Sequence, residues 1–138
     1  MKLINRDTDC AVQALIYLAR SGGKIRDTSR IQKELELPRP FLRKILQILK
    51  HKGIVESVKG NGGGFRLNRK PEEIFLLDLM RVFQGDFRFT ECLFRKKLCR
   101  NIGRCPIRKQ LGKVETLLVS ELSGVTVRTL LNSMDQKS

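Results

Sequence analysis

The run Gly60-Asn61-Gly62-Gly63 restricts the possible folds of this chain more than any other stretch. It lies between two β-prone segments, Ile54-Val55-Glu56-Ser57-Val58-Lys59 and Gly64-Phe65-Arg66-Leu67. A glycine-rich run in that setting is a flexible hairpin tip with positive φ angles, and the flanking segments are its strands. As a phosphate-binding nucleotide loop the run fails, because no Lys-Ser/Thr pair follows it and a strand rather than a helix comes next. Just before the hairpin, Leu42, Ile45, Leu46 and Leu49 recur at i, i+3, i+4 and i+7, which is the core stripe of a helix. Pro40 suits the first turn of that helix and Gly53 its end.

A shorter helix precedes it, running through Ile31, Leu35 and Leu37 to a stop at Pro38, with Thr28 or Ser29 as its cap. Two helices joined by a tight turn, the second with Arg39, Arg43, Gln47 and Lys50 on its outer face, make a helix-turn-helix pattern. Arg and Gln side chains pair with base edges in the major groove. A hairpin placed directly after such a helix is a wing, whose glycines allow close approach to a phosphate or the minor groove. Arg39, Arg43 and Gln47 are therefore the expected base contacts. Lys44, Lys59, Gly60 and Asn61 are expected on the DNA backbone, and Thr28 joins the same DNA-facing set.

The first helix has an apolar face made of Ala11, Val12, Ala14, Leu15, Ile16, Leu18 and Ala19, a candidate cap at Asn5 or Asp7, and a breaker at Ser21-Gly22-Gly23. Asp7 and Asp9 fall in its first turn, where negative charge suits the helix dipole, and Cys10 is placed as a small core residue. A further helical patch begins at Pro71-Glu72-Glu73 and continues through Leu77, Met80, Val82 and Phe83 to Gly85. Periodicity then stops over residues 86–104 and resumes in Ile107, Leu111, Val114, Leu117, Leu118 and Leu122, about four helical turns. That stripe exceeds what the edge of one small domain needs, which predicts a dimer seam; a last short helix follows Thr126. The expected fold is mainly α with a small β-hairpin wing. It divides into a winged helix-turn-helix domain at 1–84, a cysteine loop at 85–106, and a dimerisation helix with C-terminal tail at 107–138.

Charge points the same way. The chain of 138 residues carries a formal net charge of +14. Residues 39–70 hold nine Lys or Arg against the single Glu56, and residues 92–113 hold eight with no acid. Such clustering is the footprint of a polyanion, because each cation that meets a phosphate releases condensed counterions. No apolar run is long enough to span a membrane and no signal pattern opens the chain, so the expected location is cytoplasmic. His51 is the single histidine, no His, Ser and Asp constellation can be assembled, and no enzyme is expected. In a reducing compartment the four cysteines favour metal or redox chemistry over disulfides.

The hairpin region 53–67, together with Met1-Lys2-Leu3, Ala11-Val12, Pro71-Glu72-Glu73-Ile74 and Cys105-Pro106, resembles the iron-sulfur-responsive winged-helix repressors typified by IscR, NsrR and CymR. The likeness covers nearly the whole chain. It implies a homodimeric regulator of a palindromic double-stranded DNA operator, with a long dimerisation helix. In many members an iron-sulfur cluster, 2Fe-2S or 4Fe-4S, sits in the cysteine loop, which here offers Cys92, Cys99 and Cys105. Others, of the CymR type, lack the cysteines and answer to a partner protein. This chain departs from the IscR pattern at two points. Six residues separate Cys92 from Cys99, one more than usual, and Arg108 stands where that type has a histidine. Thr8-Asp9-Cys10-Ala11 resembles the NsrR-type N-terminus, which implies Asp9, from the other subunit, as the fourth ligand.

Three thiolates and one oxygen suit a sensor, since a harder, weaker ligand leaves an iron open to exchange or attack. Arg95, Lys96, Lys97, Arg100 and Arg104 surround the sulfurs in sequence and would lower thiol pKa values. Structural zinc sites normally include two ligands two to four residues apart, and no pair of these cysteines is so close. A thiol-disulfide switch without metal stays open, as does docking of an acidic partner on the basic loop.

Overall fold

A computed structural model describes residues 3–86 and 105–136 of the chain. Helix α1 (Arg6–Arg20) is its centre and packs against α2 (Thr28–Leu35), α3 (Arg39–His51), strand β2 (Gly64–Leu67), α4 (Leu76–Gln84) and α6 (Val127–Asp135). Ala11, Ala14 and Leu15 are fully buried and Leu18 nearly so, which lets neighbouring helices come close along one side of α1. Asn5 caps the helix: its side-chain oxygen accepts from Thr8 N and Thr8 Oγ1, each at 2.8 Å. Such a cap contributes about 1 kcal/mol. It also accounts for Thr8 being completely buried in an apolar core without an unmet hydroxyl.

Strand β1 (Val55–Val58) pairs antiparallel with β2, matching Val55 to Leu67 and Val58 to Gly64. Glu56 and Arg66 face each other in that register and form an ion pair. The wing has a further member that the sequence pattern did not reveal. Arg26, in the link between α1 and α2, bridges Phe65 through paired backbone bonds of 2.9 and 2.8 Å.

Two local expectations need correction. The cap of α2 is Asp27, not Thr28 or Ser29: its backbone is extended and its carboxylate accepts from Arg30 N at 2.7 Å, leaving Thr28 as the first helical residue. The patch from Pro71 to Gly85 is not one helix. It splits into a 3-10 turn at Pro71–Glu73 and α4, with Ile74 and Phe75 extended between them. Tertiary pairing causes the split, because Val127 N donates to Ile74 O and Leu76 N to Val125 O, both at 2.9 Å. Residues on both sides of the 87–104 segment are thereby joined backbone to backbone.

Helix α5 (Pro106–Leu122) differs from the rest in having no buried residue, and Ile107 and Leu117 are 66% and 69% exposed. Helix α6, after it, has Val127 and Leu131 in the same core as α1. The segment 107–138 thus contains one helix that protrudes from the core and one that helps to build it.

Candidate nucleic-acid interface and cysteine site

The orientation of α3 is set by burial. Leu42, Ile45, Leu46 and Leu49 have no exposed surface, so Arg39, Arg43, Lys44, Gln47 and Lys50 are turned outward and are exposed. Entry into the helix is tight. Glu36 takes a left-handed conformation with φ 53°, ending α2, and Pro38 is the N-cap of α3, with Pro40 in its first turn. Thr28 lies half-buried at the head of α2.

The wing is anchored to the end of α3 by several bonds. Ile54 N donates to Leu49 O at 3.0 Å, Asn68 Nδ2 to Gly53 O at 3.0 Å, and Arg69 Nη2 to Lys52 O at 3.2 Å. Its tip, with Lys59, Gly60 and Asn61, is exposed. The glycines here serve shape. A Cβ on Gly63 would lie 2.2 Å from Val58 O, and one on Gly64, where φ is +151°, would lie 2.1 Å from Arg26 O. Helix α3, held by its apolar face, and a hairpin fixed to its end give two basic, exposed elements in a set relation, an arrangement that suits a duplex groove and its flanking phosphates.

One member of the DNA-facing set has a protein partner that sequence alone did not reveal. Lys44 Nζ is 3.2 Å from Asp7 Oδ2. The Phe41 ring beside it is approached by two cations, with Arg6 Cζ at 4.6 Å and Lys44 Nζ at 5.9 Å from its centroid. The available signal was the i, i+3 spacing of Phe41 and Lys44 on α3, but nothing in the pattern tied that pair to the first turn of α1.

Of the expected cluster ligands, Cys92 and Cys99 lie outside the described residues, as do Arg95, Lys96, Lys97, Arg100 and Arg104. Cys105 is a free, half-buried thiol at the N-cap position of α5, where its side chain makes no capping bond. Asp9 is exposed in the first turn of α1. Both are donors that a metal could reach, one soft and one hard, as the expected ligand set requires. Among the described residues, no three His, Cys, Asp or Glu side chains gather into a metal site. Cys10 is buried, and desolvation, reinforced by the neighbouring Asp9 carboxylate, pushes its thiol pKa up, which makes it an inert core residue. No helix among the described residues is long and apolar enough to cross a membrane.

Comparison with known proteins agrees with this geometry. A family model described as Rrf2, iron-dependent transcriptional regulator, matches residues 4–133. Protein aau3 of Rhizobium meliloti (strain 1021) is 32% identical over 134 residues, covering 96% of this chain and 87% of its own. The HTH-type transcriptional regulator NsrR of Bacillus subtilis (strain 168) is 30% identical over 137 residues, with 98% and 93% covered. Among solved structures, T. potens IscR has the same fold, with a TM-score of 0.75 at 24% identity over 100% of this chain and 91% of that one. The matched family and the NsrR relative are regulators of transcription rather than enzymes, in line with the absence expected from the sequence. The chain belongs to the Rrf2 family of DNA-binding transcriptional regulators.

Proposed function

We propose that this regulator binds a palindromic double-stranded DNA operator as a homodimer, and that an iron-sulfur cluster held by Cys92, Cys99 and Cys105 of one subunit and Asp9 of the other modulates its grip. The observation that carries the reading is the position of Cys105. It is the residue from which α5 starts, and α5 is the helix with unburied Ile107, Val114 and Leu117. Occupation of the cysteine site would therefore act on the head of the dimer helix. Two subunits paired along α5 would present two copies of α3, so a change at Cys105 would alter the spacing of Arg39, Arg43 and Gln47 in one subunit from those in the other. Bound there, a cluster supplies an iron with one weak oxygen ligand, open to exchange or attack.

Purification without oxygen should give brown protein with visible charge-transfer absorption, and Cys99→Ala should be colourless. Asp9→Ala should change the spectrum or hasten bleaching. Colourless wild type after anaerobic reconstitution with iron and sulfide would sink the cluster while leaving DNA binding intact. The thiol switch would then be the surviving account of Cys92, Cys99 and Cys105.

A further inference from the structure

Of the expected DNA contacts Arg39, Arg43, Lys44 and Lys59, it is Lys44 that is paired with a carboxylate of the protein itself. It lies on the flank of α3 nearest the first turn of α1, with its side chain 58% exposed and Asp7 Oδ2 3.2 Å from its ammonium. The Asp7 side chain is 26% exposed, so its charge is less screened than that of a freely solvated carboxylate. The turn that carries it is held from both sides. Asn5 binds Thr8 within the turn, and Asn5 N donates to Gln84 Oε1 at 2.9 Å at the end of α4. Arg6, next to Asp7, sits over the Phe41 ring of α3. Asp7 is thus a charge fixed against the recognition helix rather than a mobile surface group.

We propose that Asp7 sets the DNA affinity of this protein by holding Lys44 as an internal counter-ion, so that Lys44 reaches a phosphate only by giving up the Asp7 carboxylate. A lysine already neutralised by the protein releases fewer counterions when it meets DNA, because part of its charge was compensated beforehand. The pair therefore lowers both the affinity and its salt dependence. Asp7 acts through Lys44 and is a positioning residue. The proposal rests on the reading of α3 as the DNA-facing helix.

The test uses the full chain and a random-sequence DNA duplex several helical turns long, titrated at a series of salt concentrations. Wild type, Asp7→Asn, Lys44→Ala and the double variant are compared. Asp7→Asn should bind more tightly, by up to about eightfold at 0.1 M salt, and its slope of log K against log salt should steepen by up to about 0.9, the value for one added phosphate contact. In the Lys44→Ala background the same change should give little gain. Unchanged or weaker binding by Asp7→Asn overturns the proposal. So does an equal gain with and without Lys44, which would mean only a general loss of negative charge. A wild type with no salt-dependent binding to the duplex fails the DNA reading itself, and the role of Asp7 falls with it. Matching thermal melts of Asp7→Asn and wild type separate these outcomes from a folding effect.

Discussion

Gly64→Ala should do damage out of proportion to the single methyl group it adds. The three atoms nearest the added methyl would all be backbone: Arg26 O at 2.1 Å, Arg26 C at 2.5 Å and Asp27 Cα at 2.7 Å. No side chain can rotate away to relieve those contacts. Either β2 moves off the 26–27 segment or that segment moves off β2. Either movement breaks the paired bonds between Arg26 and Phe65, each worth about 0.5–1.5 kcal/mol net. Holding a non-glycine residue at φ +151° adds about 1–3 kcal/mol of backbone strain. Together these give a loss of about 2–6 kcal/mol. With a urea dependence of about 2 kcal/mol per molar, the unfolding midpoint should fall by roughly 1–3 M. The measurement is urea denaturation followed by circular dichroism at fixed protein concentration, because association also shifts apparent stability. Gly62→Ala is the control: its φ is +76° but nothing lies within 4 Å of the new methyl, so about 1 kcal/mol is expected. A Gly64→Ala midpoint no lower than that of Gly62→Ala would refute the bridge between Arg26 and Phe65 as a support of the wing.

Leu131→Ala should cost about 2–4 kcal/mol, since Leu131 is 4% exposed in the core shared with α1; a change below 0.5 kcal/mol in the same denaturation assay would mean that α6 is peripheral. Leu117→Asp, on the exposed side of α5, should leave the melt of the protomer nearly unchanged yet shift sedimentation from dimer to monomer, and an intact dimer would count against the α5 seam. Lys59→Ala at the wing tip should weaken binding about equally for all DNA sequences and lower the salt slope by about 0.9, whereas Arg43→Ala should also change which sequences are preferred. Glu72 has its carboxyl held below the ordinary carboxylate range by a backbone hydrogen bond first and then by Arg128, 2.8 Å away. Its folded pKa being depressed, its contribution is present above the ordinary carboxylate pKa, about 4.3, and is lost as pH falls through the lower folded value. The melting temperatures of wild type and Glu72→Gln should therefore converge over that window and differ most at neutral pH.

Much of the helix-turn-helix and its wing was legible in the residues themselves. The i, i+3, i+4, i+7 stripe from Leu42 to Leu49 placed the outward face of α3, because an α-helix that buries one side must expose the other. The glycine run placed the hairpin, because positive φ at Gly60 and Gly62 is cheap only for glycine. Cys10 in the core and the helix after Thr126 were likewise readable, and Asn5 was one of two candidate caps for α1, since caps and short apolar stripes are local properties.

What the order of residues could not specify was which distant groups meet. The cap of α2 was misassigned because Asp27, Thr28 and Ser29 are all competent caps, and the bridge at Arg26 decides where the helix begins. The patch after Pro71 looked like one helix because its apolar residues recur at helical spacing. It was divided by pairing with residues some fifty positions later, Val125 and Val127. The contact between Asp7 and Lys44 joins residues 37 apart, and no periodicity within either helix encodes it. Local sequence determined the main helices, their buried faces and the hairpin; tertiary packing decided the division after Pro71, the Arg26 bridge to the wing and the placing of the first turn of α1 against α3, because burial of an apolar stripe fixes which side of a helix turns inward but not which neighbour it meets.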